Sequence, residues 1–153
     1  GSGSVGPQDT TNQADGLHLR RSTEVERQAR QLRAANDCID AARRLATEID
    51  GATRDDARTW LHHPDHQNPH ALLALFSRHD LWRRPEQLNT LLQAALRLAD
   101  ESSAPATLLA AAEAARAVDT GQIARQHASQ PAAIRAAIDA ARAEAIGQAL
   151  GMH

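Results

Sequence analysis

Apolar side chains recur every three or four residues along most of this chain, which is the spacing of one face of an α-helix. The first such segment ends at Gly51, and Thr23 with Glu26 has the form of a capping box at its start. The pattern predicts a first helix longer than any other, with Cys38 beside its apolar face. The apolar positions of this helix are Val25, Ala29, Leu32, Ala35, Ile39, Ala42, Ala46 and Ile49.

Further helical segments follow, separated by short stretches that contain Pro, Gly, Ser or Asn. Thr53 and Asp56 form a second capping box, Asn68 followed by Pro69 is a typical helix start, and Ser129 is the expected cap of the last helix. Strand-like alternation is absent from the sequence, so the pattern predicts an all-α fold, a compact bundle of six or seven helices with short loops. The expected inner positions are Leu72, Leu75, Phe76, Leu88, Leu91, Leu92, Ala95, Leu96, Ala99, Leu108, Leu109, Ala112, Ala115, Val118, Ile134, Ile138, Ala141, Ala145 and Ala149.

The chain divides by composition into a short lead and a longer helical part. Residues 1–21 are mostly small or polar, so they can bury too little surface to offset the entropy of ordering. We predict a flexible lead there, in which the opening Gly-Ser-Gly-Ser is an expression remnant. Residues 22–153 are predicted to form a single helical domain, since a chain of this length is typical of one domain.

Charge and composition restrict the class of partner. The 17 basic residues are all Arg, and they are interleaved with 19 acidic residues for a net charge of −2. This pattern lacks the basic surface typical of nucleic-acid-binding proteins, so we predict no nucleic-acid partner. No apolar run has the length of a membrane span, and no signal peptide is recognisable. A location in the bacterial cytoplasm is therefore expected. The alternative is that the protein is secreted without a cleaved signal peptide.

Recognisable catalytic chemistry is missing from the sequence. There is no glycine-rich phosphate loop, no nucleophile elbow and no Ser-His-Asp set. Cys38 lies in the middle of a helix, where a thiol is usually a small core residue. We therefore predict a protein that is not an enzyme, with no catalytic residue and no cofactor.

The segment His62–His70 is the sharpest local anomaly, with four imidazoles and one carboxylate in nine residues. Neutral His and Asp are ligands of zinc and nickel, so the alternative function is a metal-binding or enzymatic helical domain that uses this loop. However, Pro64 and Pro69 interrupt the helical spacing that would bring two imidazoles onto one face. We interpret the segment as a polar loop between helices and assign no metal ligand to it.

Leu81, Trp82, Arg83 and Arg84 are the predicted partner-binding residues, at the junction of two leucine-rich helices. Trp and Arg are enriched at the energetic centres of protein interfaces. The alternative is that Leu81 and Trp82 close the core while the two arginines are simply solvated.

From Asp56 to about Ile138, the order of features resembles the N-terminal helical domain of the type III secretion gatekeeper family. The first features that carry the resemblance are the helix His70–Phe76, the start at Pro85-Glu-Gln-Leu88 and the segment Leu91–Leu96. After the acidic ending Asp100-Glu101 come the Ala-rich segment Leu108–Val118 and the step Gly121-Gln-Ile123-Ala124. The resemblance implies an all-α protein that binds secretion chaperones and export components and performs no chemistry.

The leading hypothesis from the sequence is therefore a non-enzymatic bacterial protein-interaction domain. It would serve as a type III secretion regulator or a secreted effector module. Its expected partner is a protein, namely a secretion chaperone, an export component or a host protein, and the sequence leaves the oligomeric state open.

Overall fold

A computed structural model describes the backbone of residues 5–151 and the side chains of residues 21–151. This range contains seven α-helices, two short 3-10 helices (Pro64–Gln67 and Pro131–Ala133) and no strand, which confirms the predicted all-α fold and its long first helix. None of the helices in this range is long and apolar enough to cross a membrane. The α-helices are α1 (Val5–Glu48), α2 (Arg54–Leu61), α3 (Pro69–Arg78), α4 (Pro85–Ala99), α5 (Ala106–Arg116), α6 (Thr120–Gln126) and α7 (Ile134–Ala149).

The helix α1 already contains Thr23, so the predicted capping box at Thr23 does not mark its start. Residues 1–4 lie outside the described residues, and so do the side chains of residues 5–20. The flexible lead over residues 1–21 therefore stays a prediction, as does the single domain over residues 22–153.

The chain contains two units, one that ends at Ile39 and one that begins at Asp40. In the described part of the first unit, the large apolar side chains of α1 are exposed: Val25 by 63%, Leu32 by 64% and Ile39 by 52%. Cys38 is exposed as well. The expectation that these side chains face a core, or its edge in the case of Cys38, is therefore wrong.

The second unit holds the hydrophobic core, which surrounds the fully buried Phe76 of α3. Helix α2 packs on α4, and α3 and α5 both pack on α7. The predicted inner positions of α3 and α4 are confirmed. The core residues are Leu45, Ile49, Ala57, Trp60, Leu61, Leu72, Leu75, Phe76, Leu81, Leu88, Leu91, Leu92, Ala95, Leu96, Ala99, Leu108, Ala111, Ala112, Ala115 and Ile146.

The last helices depart from the prediction. In α5, Leu109 is 50% exposed although it was expected inside. In α7 the buried side is formed by Ala143, Ile146 and Gly147, whereas Ile134 and Ile138 are only half-buried. Two of these three buried residues are small, so the buried face of α7 follows its large residues only at Ile146.

Local hydrogen bonds fix the starts of two helices as predicted. The Thr53 hydroxyl accepts a hydrogen bond from the Asp56 N–H (3.1 Å), and the Asp56 carboxylate accepts one from the Thr53 N–H (3.0 Å). The side chain of Asn68 accepts hydrogen bonds from the N–H groups of His70 (2.9 Å) and Ala71 (3.2 Å) at the start of α3. Each cap satisfies backbone donors that the first helical turn leaves unpaired.

Candidate functional site

The segment Leu81–Arg84 lies in the turn that joins α3 to α4. Asp80 has a φ of 52°, in the left-handed region, and its carbonyl accepts hydrogen bonds from the N–H groups of Arg83 (3.3 Å) and Arg84 (2.8 Å). The N–H of Leu81 donates to the carbonyl of Phe76 (2.9 Å). Because these bonds fix the backbone of the turn, the side chains that leave it start from defined positions.

The four predicted partner-binding residues take different roles. Leu81 is 2% exposed and belongs to the core, while Trp82 is half-buried and packs against that core. The side chain of Arg83 is 84% exposed, and its Nε donates to Oδ1 of Asp80 at 3.1 Å. Arg84 is exposed and makes no side-chain hydrogen bond at the start of α4. The prediction that this segment binds a partner stays a prediction, now limited to the three residues that reach the surface.

Arg142 of α7 joins this turn, and sequence reasoning missed it. Its guanidinium carbon lies 3.7 Å from the centre of the Trp82 ring, within the range of a cation–π interaction. In the part of the chain that the structure describes, Nε of Arg142 is buried without a hydrogen-bond partner. Burial lowers the pKa of Arg142 and the charge of Asp139 raises it, but a guanidinium keeps its proton in proteins. We call Trp82, Arg83, Arg84 and Arg142 the Trp82 corner.

No pattern in the sequence links Arg142 to Trp82, because sixty residues separate them and only tertiary packing brings them together. Spacing rules describe residues within one helix or one motif. The sequence shows only that Arg83 and Arg84 follow Trp82 in the chain. These two arginines are only part of the cationic surface.

The imidazoles of the segment His62–His70 do not gather into a set of metal ligands within the described residues, although the rings of His63 and His66 lie 6.5 Å apart between centres. The Nε2–H of His62 donates to the carboxylate of Glu101, with a shortest distance of 3.0 Å. Nδ1 of His63 accepts a hydrogen bond from the N–H of Asp65 at 3.0 Å. Among residues 21–151 no group of three or more His, Cys, Asp or Glu side chains could hold a metal ion, so the alternative of a metal-binding or enzymatic domain built on this loop is not supported.

His66 is part of the packing rather than a ligand. It is 8% exposed, and its ring meets that of Trp60 edge to face at 5.0 Å between ring centres. Its Nδ1–H donates to the carbonyl of Leu61 at 3.3 Å. Burial lowers the pKa of His66, and the bond to Leu61 opposes this only in part, so the ring stays neutral at pH 7.

A cavity of about 240 Å³ lies beside His66, and its wall includes Glu48 and Arg78. The carboxylate of Glu48 accepts hydrogen bonds from Nε (3.1 Å) and Nη2 (3.0 Å) of Arg78 and from Nε2 of His79 (2.6 Å). Burial would raise the pKa of Glu48, but the bonds from Arg78 and His79 lower it below its ordinary value. Both oxygens of Glu48 are therefore committed to holding the end of α1 against α3.

Two curated proteins are similar to this chain. They are the CCA-adding enzymes of Bordetella pertussis (strain Tohama I) and Bordetella bronchiseptica (strain RB50), each 36% identical over 112 residues. The matched part is 73% of this chain but 27% of each relative, so the chain spans about a quarter of the length of these enzymes. No family model matches the chain. No solved structure matches it either.

The similarity to these enzymes contradicts the functional hypothesis from the sequence. The relatives are CCA-adding enzymes, so the expectations of a secretion regulator or effector, of a protein that is not an enzyme and of no nucleic-acid partner are all contradicted. The resemblance to the gatekeeper family itself is tested by none of the comparisons and stays a prediction. The functional hypothesis was wrong for a physical reason, since leucine- and alanine-rich helices have similar sequence patterns whatever the protein binds.

Proposed function

We propose that this chain serves in CCA addition, as a helical part that binds the nucleic acid to which the nucleotides are added. The observation that supports the proposal most strongly is the 36% identity to two CCA-adding enzymes over 112 residues. A match over 73% of the chain involves most of its helices rather than one short motif. A bacterial cytoplasmic location accompanies this proposal.

Nucleic-acid binding is a role that the described residues fit. Two carboxylates already have structural partners: Glu48 accepts hydrogen bonds from Arg78 and His79, and the Asp56 carboxylate accepts one from the Thr53 N–H at the start of α2. By contrast, Arg84 and Arg142 make no ion pair within the described part of the chain, and their charges are available to phosphate groups. Arg is the side chain best suited to phosphate recognition because its planar guanidinium donates two parallel hydrogen bonds.

The net charge of −2 does not conflict with this role. Binding to nucleic acid depends on the local potential where the phosphates lie, and a chain can be slightly acidic while one surface is cationic. The sequence-based exclusion of nucleic acid relied on the average over all residues, and the average conceals the Trp82 corner.

Filter binding with the full chain tests the proposal. The probes are two folded RNA transcripts that differ only in the presence of a terminal CCA, with duplex DNA of equal length as the comparison. We expect binding of RNA that weakens steeply between about 50 and about 200 mM salt, because each phosphate contact releases counterions. No binding of either transcript at the lower salt concentration would contradict the proposal.

A further inference from the structure

We propose that the Trp82 corner is the surface with which this chain binds the phosphate backbone of RNA. In this assignment Arg84 and Arg142 contact phosphates, and Trp82 is a positioning residue that holds Arg142. The inference rests on the proposed function and deepens it, since it names the surface and the chemical group that this surface recognises.

The first argument is the way Arg142 is held. Two other arginines of the second unit rest on oxygen atoms, Arg78 on the Glu48 carboxylate and Arg58 on the carbonyl of Ala99 at 2.7 Å. Arg142 instead rests on the face of the Trp82 ring. A ring attracts a cation without carrying a compensating full charge, so the Trp82 ring holds the guanidinium of Arg142 in place without neutralising it. Binding a phosphate then costs less side-chain entropy than binding with a free arginine would.

The second argument is the backbone of the turn. Because the Asp80 carbonyl accepts hydrogen bonds from the N–H groups of both Arg83 and Arg84, these side chains start from a fixed position next to Trp82. Arg84 follows Trp82 by two residues, so their Cα atoms lie within about 7 Å. The corner also adjoins the start of α4, a helix of 15 residues whose amino end carries a partial positive charge.

Of the three arginines in the Trp82 corner, Arg84 and Arg142 form no ion pair with a nearby carboxylate among the described residues. Asp80 is bound to Arg83, so we do not count Arg83 as a phosphate ligand. Glu86 and Asp139 lie on the same helices as the corner, and neither makes an ion pair with a described residue. Asp139 interacts with the charge of Arg142 at longer range.

Substitutions in the full chain test this assignment with the CCA-ending RNA transcript as the probe. We expect Arg84→Gln and Arg142→Gln each to weaken binding by about 3- to 10-fold, and to reduce the slope of log affinity against log salt by about one. Arg125→Gln is the matched control, since Arg125 is exposed on α6 and lies outside the corner. It should leave both affinity and slope close to those of the unsubstituted chain.

The role of Trp82 has its own test. Trp82→Leu removes the ring on which Arg142 rests, so it should lower the affinity and the salt slope as Arg142→Gln does, while Trp82→Phe should restore most of both. Thermal unfolding of each variant shows whether the fold is retained, and Arg84→Gln carries the test alone if the variants at Trp82 or Arg142 unfold.

The outcomes separate the corner from the proposed function. If the RNA binds the unsubstituted chain, Arg84→Gln and Arg142→Gln equally well, the corner is wrong and the proposed function stands. If the RNA does not bind the unsubstituted chain, the proposed function fails and the corner fails with it. An effect of Arg125→Gln as large as that of Arg84→Gln would also overturn the assignment, because an exposed arginine outside the corner would then contribute equally to RNA binding.

Discussion

Glu48 shows at the scale of a single residue how one carboxylate can join two helices. Its side chain is 7% exposed at the end of α1, and both of its hydrogen-bond donors, Arg78 and His79, lie at the end of α3. Removing one member of a buried ion pair leaves its partners desolvated and without a group that compensates them. This loss of stability is larger than the contribution of the intact pair. Nδ1 of His79 is already buried without a partner, so this ring depends on its single bond to Glu48.

We therefore expect Glu48→Gln to lower the free energy of unfolding by about 3 kcal/mol, the low end of the range for a buried pair because Arg78 is half exposed. Urea denaturation at pH 7 measures the change. Asp40→Asn is the control, since it removes an exposed ion pair with Arg44 and should cost less than about 0.5 kcal/mol. Equal losses in the two variants would show that the burial of Glu48 contributes nothing.

His66 makes the stability depend on pH. Its pKa in the folded chain lies below the ordinary value of 6.5, so below this value the unfolded chain binds the proton more strongly than the folded chain. The contribution of His66 to the free energy of unfolding is therefore present above pH 6.5. It is lost as the pH falls through the lower pKa that His66 has in the folded chain. The corresponding loss for Glu48 begins only below its ordinary value of 4.5, which separates the two groups.

We expect the free energy of unfolding to fall between pH 7.5 and pH 5.5, and to fall less in His66→Gln. His70→Gln is the matched control, because His70 is exposed at the start of α3. Urea denaturation of the three proteins at both pH values gives the comparison. A pH dependence that is the same in His66→Gln and the unsubstituted chain would exclude His66 as its source.

At the scale of the helices, the caps show why some starts could be predicted from the sequence. A cap involves residues two or three positions apart, so the sequence alone contains both partners, as at Thr53 and Asn68. Ser129 was predicted to cap the last helix by the same reasoning, but α7 begins only at Ile134, after the 3-10 helix Pro131–Ala133. A cap residue was present there, but the chain does not enter the helix at that point.

Asn68→Ala should lower the free energy of unfolding by about 1 kcal/mol, because two N–H groups at the start of α3 lose their acceptor. Ser129→Ala makes the same kind of change at a position without a capping bond and should have almost no effect. Thermal unfolding measures both variants, and Asn68→Asp should retain most of the stability. A loss for Ser129→Ala as large as for Asn68→Ala would contradict this account.

The faces of α1 and α7 could not be predicted in the same way. The apolar spacing of α1 suggested one stripe from Val25 onward, yet the side chains buried at its end are Ala41 and Leu45. The buried side of α7 is mostly Ala and Gly, whose small side chains give a periodicity analysis little to detect. A periodicity analysis cannot detect the contact of Arg142 with Trp82. It shows which residues share a helix face, but not which distant residue packs on that face.

At the scale of the whole chain, the two units differ in how much they bury. The residues of the first unit whose side chains the structure describes, 21–39, form part of α1, and all these side chains are exposed except that of Ala29, which is half-buried. The second unit contains the core around Phe76. Most helical stability in proteins comes from the packing of an apolar face, and residues 21–39 bury almost none.

Backbone amides of residues 21–39 should therefore exchange their hydrogens much faster than those of α3 and α4, which open only when the core unfolds. Hydrogen exchange measured by mass spectrometry on peptides from both regions tests this at micromolar concentration. Slow exchange over residues 21–39 would contradict the expectation and would indicate that another surface covers Val25, Leu32 and Ile39. Repeating the measurement at tenfold dilution identifies that surface: protection lost on dilution comes from a second copy of the chain, whereas protection that persists comes from the same chain. Leu32→Glu is the matched variant, because a charge at a position that is 64% exposed should leave the exchange of α3 and α4 unchanged.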